Sequence, residues 1–169
     1  NRAHNASRAL PPPASLTGRN TGLDLPTALA GFTGKTAIAI TDASGVVQKK
    51  VDIDFDALTM SVNGGAPSAF TDANFLTSLN TALGASGTAG FANGALSLSA
   101  AGGNGVVIAD DPTTPSSNAG KGFSHFFGMN DLITSSGYPY AATGLSATDP
   151  NGFTAGGPLS LRITHSNGT

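Results

Sequence analysis

No glutamate occurs in this chain, and all ten of its acidic residues are aspartates. Glutamate favours the interior of helices, whereas aspartate favours helix caps and turns, so this composition argues against a helical protein. The chain also contains 23 glycines and 10 prolines, with abundant serine, threonine and alanine, which indicates many turns between short strands. We therefore expect an α+β fold that is dominated by antiparallel sheet.

The charge and cysteine content exclude several classes of function. Only 11% of the 169 residues are charged and the net charge is −2, so no positive field would attract nucleic acid or an anionic membrane. The absence of cysteine excludes disulfides, thiolate catalysis and zinc–thiolate sites. The sequence has no run of 18 apolar residues, so we expect no membrane span.

The clearest local pattern lies in residues 36–55. Residues 36–41 alternate in polarity and are rich in β-branched side chains, and residues 42–45 form a turn signal. Apolar and acidic residues then alternate with period two over residues 51–56, which is typical of a half-buried strand. Together they predict a β-hairpin.

One main amphipathic helix is predicted at about residues 72–83. Thr71 is a suitable N-cap, and Gly84 could end the helix in the left-handed conformation. The apolar stripe of this helix consists of Phe75, Leu76, Leu79 and Leu83. We expect Phe75, Leu79 and Leu83 to belong to the core.

The remaining sequence predicts a simple domain organisation. Residues 88–92 and 95–100 flank an Asn-Gly pair, a strong signal for a second hairpin, and residues 105–109 read as a short buried strand. We expect an α+β domain over residues 36–135, in the order hairpin, helix, hairpin, strand. Residues 1–35, which include three consecutive prolines, are predicted to be an extended arm or linker. Residues 136–169 are predicted to be loop and the truncated start of a further β segment.

An aromatic stretch, GKGFSHFFGMNDLI, occupies residues 120–133. The sequence predicts a short helix at about residues 118–127, with Ser117 as N-cap and Gly128 after its end. Phe123, Phe126 and Phe127 would share one face of that helix and form a buried plug that closes the sheet. We expect the neighbouring His125 to be a hydrogen-bonded structural residue.

The centre of this stretch resembles the nucleophile elbow of hydrolases, Gly-x-Ser-x-Gly. Gly122 and Ser124 fit that pattern, but Phe126 stands where the second glycine is required. No strand is predicted before Ser124 that would place it at the edge of a sheet. His125 is adjacent to Ser124 in sequence, so the two side chains should point apart. The other histidines, His4 and His165, lie near the ends of the chain. We therefore expect no catalytic site.

Three further patterns imitate binding motifs without satisfying them. Residues 34–36 resemble the end of a phosphate-binding loop but lack the first glycine of that motif and precede a strand. Asp52, Asp54 and Asp56 have calcium-loop spacing without the required glycine and glutamate, so a solvated strand face is favoured. Asp110 and Asp111 could act as a pair of carboxylates, but both also suit a turn before Pro112, and the turn is favoured. We expect no metal ion and no cofactor.

The aromatic stretch resembles a signature of the flagellar hook-associated protein 1 family, the hook–filament junction proteins, especially in its alphaproteobacterial form. Residues 16–24 and 31–36 are also similar to that family. The predicted module at residues 36–110 is similar to the β-rich modules inserted in flagellins and hook-associated proteins. The resemblance covers nearly the whole chain.

The resemblance implies a structural subunit that leaves the cell unfolded through the flagellar type III export pathway and remains extracellular in the flagellum. Its implied partners are other copies of itself, adjacent hook and junction proteins and an export chaperone. The long terminal helices through which such proteins assemble do not occur in this sequence. We therefore expect a monomeric fragment of the outward-facing β-rich region, with no enzyme activity.

An alternative function is a secreted adhesin or carbohydrate-binding module. The features that favour it are Tyr138, Tyr140 and the nearby Phe153, because exposed aromatic rings can stack on sugars. Packing in a core or an interface is the favoured interpretation of these residues.

Overall fold

The computed structural model describes residues 12–129, which form eight strands and three α-helices in a sheet-dominated α+β fold, as expected. The strands are β1 (Ser15–Thr17), β2 (Lys35–Thr41), β3 (Val47–Asp54), β4 (Thr59–Val62), β5 (Ser68–Ala69), β6 (Gly87–Ala92), β7 (Ala95–Ala100) and β8 (Gly105–Asp110). The helices are α1 (Leu25–Leu29), α2 (Phe75–Leu83) and α3 (Phe123–Phe126). None of the helices in this part of the chain is long and apolar enough to cross a membrane. The predictions for residues 136–169 lie outside the described residues.

A five-stranded antiparallel sheet has the order β5-β4-β3-β2-β8. The first predicted hairpin is confirmed as β2–β3, in which Ile38 pairs with Val51 and Thr36 with Ile53. The isoleucine and valine side chains are buried on the inner face, whereas Asp52 and the other alternate residues of β3 lie on the outer face. The period-two pattern thus fixed which side of the hairpin is buried. Strands β4 and β5 were not predicted.

A three-stranded antiparallel sheet has the order β1-β7-β6. The second predicted hairpin is confirmed as β6–β7, and its turn residues Asn93 and Gly94 have φ angles of 52° and 75°. Positive φ at both positions is what a type I′ turn requires. Leu96 and Leu98 of β7 are buried, so this sheet also presents one apolar face.

Helix α2 begins at Phe75, three residues later than the predicted start at residue 72. Thr71 and Asn74 explain the difference, because each backbone N–H donates to the other's side-chain oxygen, at 2.7 and 3.2 Å, and closes a turn before the helix. The amide of Asn80 both donates to and accepts from the backbone of Ala89 at 2.9 and 2.8 Å. The helix is thereby fixed to the outer edge of β6.

The core is built from the inner faces of both sheets and one side of α2, which contacts β3, β4 and β6. Phe75, Leu79 and Leu83 of α2 are all buried, as their helical spacing predicted. Burying a side chain of this kind contributes roughly 1.5–3 kcal/mol. The helix owes its stability to this contact, since a nine-residue helix is marginal alone.

The sequence was wrong about the described part of the predicted arm at residues 1–35. Residues 12–21, which we call the N-terminal strap, run antiparallel to β7 and include β1. Gly18 N donates to Leu96 O at 2.8 Å and Thr21 N donates to Gly94 O at 2.9 Å, so the pairing continues beyond β1. The strap and helix α1 belong to the folded domain, which therefore begins before residue 36.

The strap also joins parts of the fold that are distant in sequence. The N–H of Val106 in β8 donates to Pro13 O, and the N–H of Ala100 in β7 donates to Ala14 O, both at 2.8 Å. Farther along, Arg19 N donates to Phe127 O, also at 2.8 Å. The strap thus connects the two sheets and the segment that follows α3.

Gly18 is the position where the strap tolerates no side chain. A Cβ atom built there would lie 2.2 Å from Phe127 O and 3.1 Å from Leu96 O, and both are backbone atoms. We expect Gly18→Ala to lower the free energy of unfolding by about 1–3 kcal/mol, because the backbone must shift. Urea unfolding followed by circular dichroism measures this.

The matched control is Thr17→Ala in the exposed neighbouring position, which should change stability by no more than about 0.5 kcal/mol. Equal stability of the two variants would show that the strap is not closely packed.

Candidate functional site

Helix α3 is shorter than the sequence predicted, a single turn at Phe123–Phe126 in place of residues 118–127. Ala119 and Gly120 have φ angles of 51° and 76°, which are incompatible with a right-handed helix. Ser117 is not its N-cap but pairs with Thr33, each backbone N–H donating to the other's carbonyl. The residues before α3 thus form isolated bridges to the chain that leads into β2.

Gly122 occupies the N-cap position of α3, and the first N–H of the helix is satisfied by the side chain of Ser116 and not of Ser117. The buried hydroxyl oxygen of Ser116 accepts a hydrogen bond from Phe123 N at 2.8 Å and its hydroxyl donates to the Asp110 carboxylate. The Asp110 carboxylate also lies where a Cβ atom on residue 122 would be. Only a glycine at that position allows the carboxylate and the backbone to come this close. The signal Ser-x-x-Glu was absent, and the cap is instead completed by an aspartate at the end of β8.

The C-terminal end of α3 is a Schellman motif, as the predicted role of Gly128 implied. Gly128 has φ of 67°, its N–H donates to His125 O at 3.1 Å, and Met129 N donates to Ser124 O at 2.7 Å. These are the 6→1 and 5→2 hydrogen bonds that define a Schellman motif. They satisfy carbonyl groups that the short helix leaves unpaired. Met129, the residue after Gly128, is buried in the hydrophobic core.

Seven phenylalanines form one continuous cluster in which neighbouring ring centroids are 5.0 to 6.4 Å apart. This aromatic cluster consists of Phe32, Phe55, Phe70, Phe75, Phe123, Phe126 and Phe127. Phe123 and Phe127 are completely buried, as predicted, but Phe126 is only half-buried and lies at the edge. Phe126 is therefore not a central core residue. Phe32 is central to the cluster, and it was not predicted as a core residue because it lies in the supposed linker.

The three segments that carried the family resemblance meet at this cluster. From residues 31–36, Phe32 contacts the ring of Phe127, and from residues 16–24, Arg19 N donates to the carbonyl of the same residue. The amide of Asn118 donates to Ala28 O at 3.0 Å. Segments up to about a hundred residues apart in sequence thus form one packed unit with the described part of the aromatic stretch.

The supposed nucleophile elbow lies on α3, where Ser124 and His125 occupy adjacent positions of one helical turn. His125 is exposed, and Ser124 is half-buried on a neighbouring position of the single helical turn. Among the described residues, no side-chain hydrogen bond joins either of them to a partner, so the expected structural hydrogen bond of His125 is absent there. His4, His165, Tyr138, Tyr140 and Phe153 lie outside the described residues.

The carboxylates of Asp52, Asp54 and Asp111 each bind a protein group. Asp54 Oδ2 lies 3.0 Å from Lys35 Nζ, and Asp52 Oδ1 lies 2.7 Å from Lys50 Nζ. Asp111 Oδ1 accepts from the N–H groups of residues 113 and 114, which confirms the turn before Pro112. Within residues 12–129, no group of three or more potential metal ligands is present.

An open trough lies on the outer face of the five-stranded sheet. Its floor is formed by Ala37 and Ala109, and its lining includes Lys35, Lys50, Asp52, Asp54, Thr59, Ser61, Pro67 and Pro112. The hydrogen bond to Asp54 and the charge of that residue raise the pKa of Lys35. Partial burial raises the pKa of Asp54, but hydrogen bonds from Ala57 N and Lys35 outweigh it and lower the pKa overall. Both groups are therefore charged near neutral pH.

Comparison with known protein families, with curated proteins and with solved structures finds no match to this chain.

The difference in burial within the aromatic cluster predicts a graded response to truncation. We expect Phe123→Ala to lower the free energy of unfolding by about 3–5 kcal/mol, since it removes a completely buried ring and leaves a cavity. Phe126→Ala should cost clearly less, because part of that ring is exposed. Denaturant unfolding of the purified variants measures both values.

Ser124→Ala is the control on the same helical turn and should stay within about 0.5 kcal/mol of the parent. The assignment of the cluster is wrong if Phe123→Ala unfolds like the parent, or if Phe126→Ala is as destabilising as Phe123→Ala.

Proposed function

We propose that this chain is part of a structural component of the bacterial flagellum, at the junction between hook and filament. The observation that supports the proposal is the meeting of residues 16–24, 31–36 and 120–129 at the aromatic cluster. These residues lie in the short segments whose sequences resemble the hook-associated protein 1 family, within a resemblance that extends over nearly the whole chain. Packing of such segments against one another is what a shared fold produces, because packed side chains constrain one another.

The chain acts by subunit packing and not by catalysis. In the part of the chain that the structure describes, the side chains of Asp54, Asp111 and Ser116 bind protein groups that close turns, join strands or begin a helix. The aromatic cluster makes the module rigid, which suits a part that must hold its shape outside the cell. In the complete protein, the partners would be further copies, neighbouring hook and junction proteins and an export chaperone. By itself the chain would be monomeric.

Deletion of the coding gene in the bacterium that carries it tests this proposal. We expect hooks that lack attached filaments in electron micrographs, with flagellin released into the medium and loss of swimming, because the junction would be missing. Complementation with the full-length gene should restore filaments. Complementation with the Ser124→Ala gene should do so equally, since that side chain has no catalytic role.

The Phe123→Ala gene should restore filaments poorly, through loss of the folded module. Normal filaments in the deletion strain would contradict the proposal. If such a strain instead lost attachment to surfaces or to glycans while it still swam, the adhesin alternative would be the better explanation.

A further inference from the structure

The outer trough is a consequence of side-chain size on the five-stranded sheet. Ala37 of β2 and Ala109 of β8 pair in register, so two methyl groups lie side by side at its floor. The residues that flank this row are long, with Lys35 on one side and Lys50 on the other. Pro67 and Pro112 close the remaining two sides. The resulting volume is about 510 Å³, within the range of roughly 300–1,000 Å³ that small-molecule sites occupy.

Donors and acceptors alternate around this floor. Asp52 pairs in register with Ala37 on one side and Ser61 on the other, so its carboxylate lies beside the floor. Lys50 Nζ is 2.7 Å from that carboxylate, and the two side chains remain 48% and 39% exposed. An ammonium has three donors and a carboxylate about four acceptor positions, so both groups keep capacity for a ligand.

The second ion pair repeats this arrangement at the other end of the trough. Lys35 bonds Asp54, which pairs in register with Thr59. No hydrogen bond joins the hydroxyl of Thr59 or Ser61 to another residue in the described part of the chain. These two hydroxyls can therefore donate to or accept from a bound molecule.

The lining also restricts the charge and type of the ligand. It includes two lysines, Lys35 and Lys50, and four aspartates, which are Asp52, Asp54, Asp110 and Asp111. The difference in charge, 2 − 4 = −2, disfavours an anion. An extended peptide would add to a sheet edge, whereas the trough lies on a sheet face whose backbone groups are already paired. A ligand with many neutral groups that both donate and accept hydrogen bonds fits this lining best.

We propose that the outer trough binds one or two units of a neutral carbohydrate, whose hydroxyl groups bond the Lys50–Asp52 and Lys35–Asp54 pairs and Ser61. The four strands β8, β2, β3 and β4 that cross beneath the trough span about 14 Å, from three interstrand spacings of about 4.8 Å. This is long enough for two linked sugar rings. The inference is independent of the flagellar role, since it uses none of the residues of the aromatic cluster.

Titration of the isotopically labelled chain with sugars, followed by nuclear magnetic resonance, tests the inference. The probes are galactose, N-acetylglucosamine and lactose, with glucuronic acid as the anionic comparison. We expect saturable shifts of the amides of Ala37, Asp52 and Ser61, with a Kd on the order of 1 mM for at least one neutral sugar. Glucuronic acid should bind at least about tenfold more weakly, because of the excess of carboxylates.

Ala37→Leu fills the floor without removing a polar group and should weaken the binding by at least about tenfold. Ala43→Leu, in the exposed turn of the same hairpin, is the matched control and should bind as the parent does. Circular dichroism would confirm that both variants fold. The inference is overturned if no saturable shift occurs up to about 100 mM sugar. It is also overturned if Ala37→Leu binds as tightly as the parent, or if the shifts lie away from the trough.

Discussion

The packing of Phe32 is the interaction on which the rest of the described structure depends. Its ring stacks on Phe55 at 5.0 Å and contacts the rings of Phe123, Phe126 and Phe127. One side chain thus joins the end of β3 to α3, a helix of one turn that could not exist alone. Around Phe32, backbone hydrogen bonds join the strap to Phe127 and join Thr33 to Ser117. The aromatic cluster thus holds together a fold whose strands and helices are individually short.

Regular patterns in the sequence predicted the regular parts of the fold. Both hairpins and the buried side of α2 follow from periods of 2 and 3.6 residues, which are local properties. The strap could not be predicted, because its hydrogen bonds reach β7, β8 and Phe127, and nothing near Pro13 in sequence indicates those partners. The cap of α3 was misplaced for the same reason, since Ser116 acts together with Asp110.

The candidate sites likewise depend on contacts between distant residues, which local sequence patterns did not reveal. Sequence patterns around Ser124 and His125 imitated a catalytic motif, but the fold uses their backbone carbonyls to end a helix. The outer trough is lined by residues from patterns that imitated phosphate and calcium motifs, such as Lys35 and Asp54. Those patterns did not predict a trough, because it arises from strand register that brings Ala37, Ala109 and Asp52 side by side. A structural role for the aromatic cluster and a binding role for the trough are compatible, as they occupy opposite faces of the same sheet.

Native-state hydrogen exchange tests most directly whether the strap and the aromatic cluster belong to the cooperative core. The decisive amides are those of Arg19 and Ser117, which donate to Phe127 O and Thr33 O. The account predicts that both exchange with the same free energy as the amides that join β2 to β3, because the cluster opens only when the domain unfolds. Exchange of Arg19 and Ser117 at the fast rate of the Gly45 turn amide would contradict it, and would make the strap a loosely attached arm.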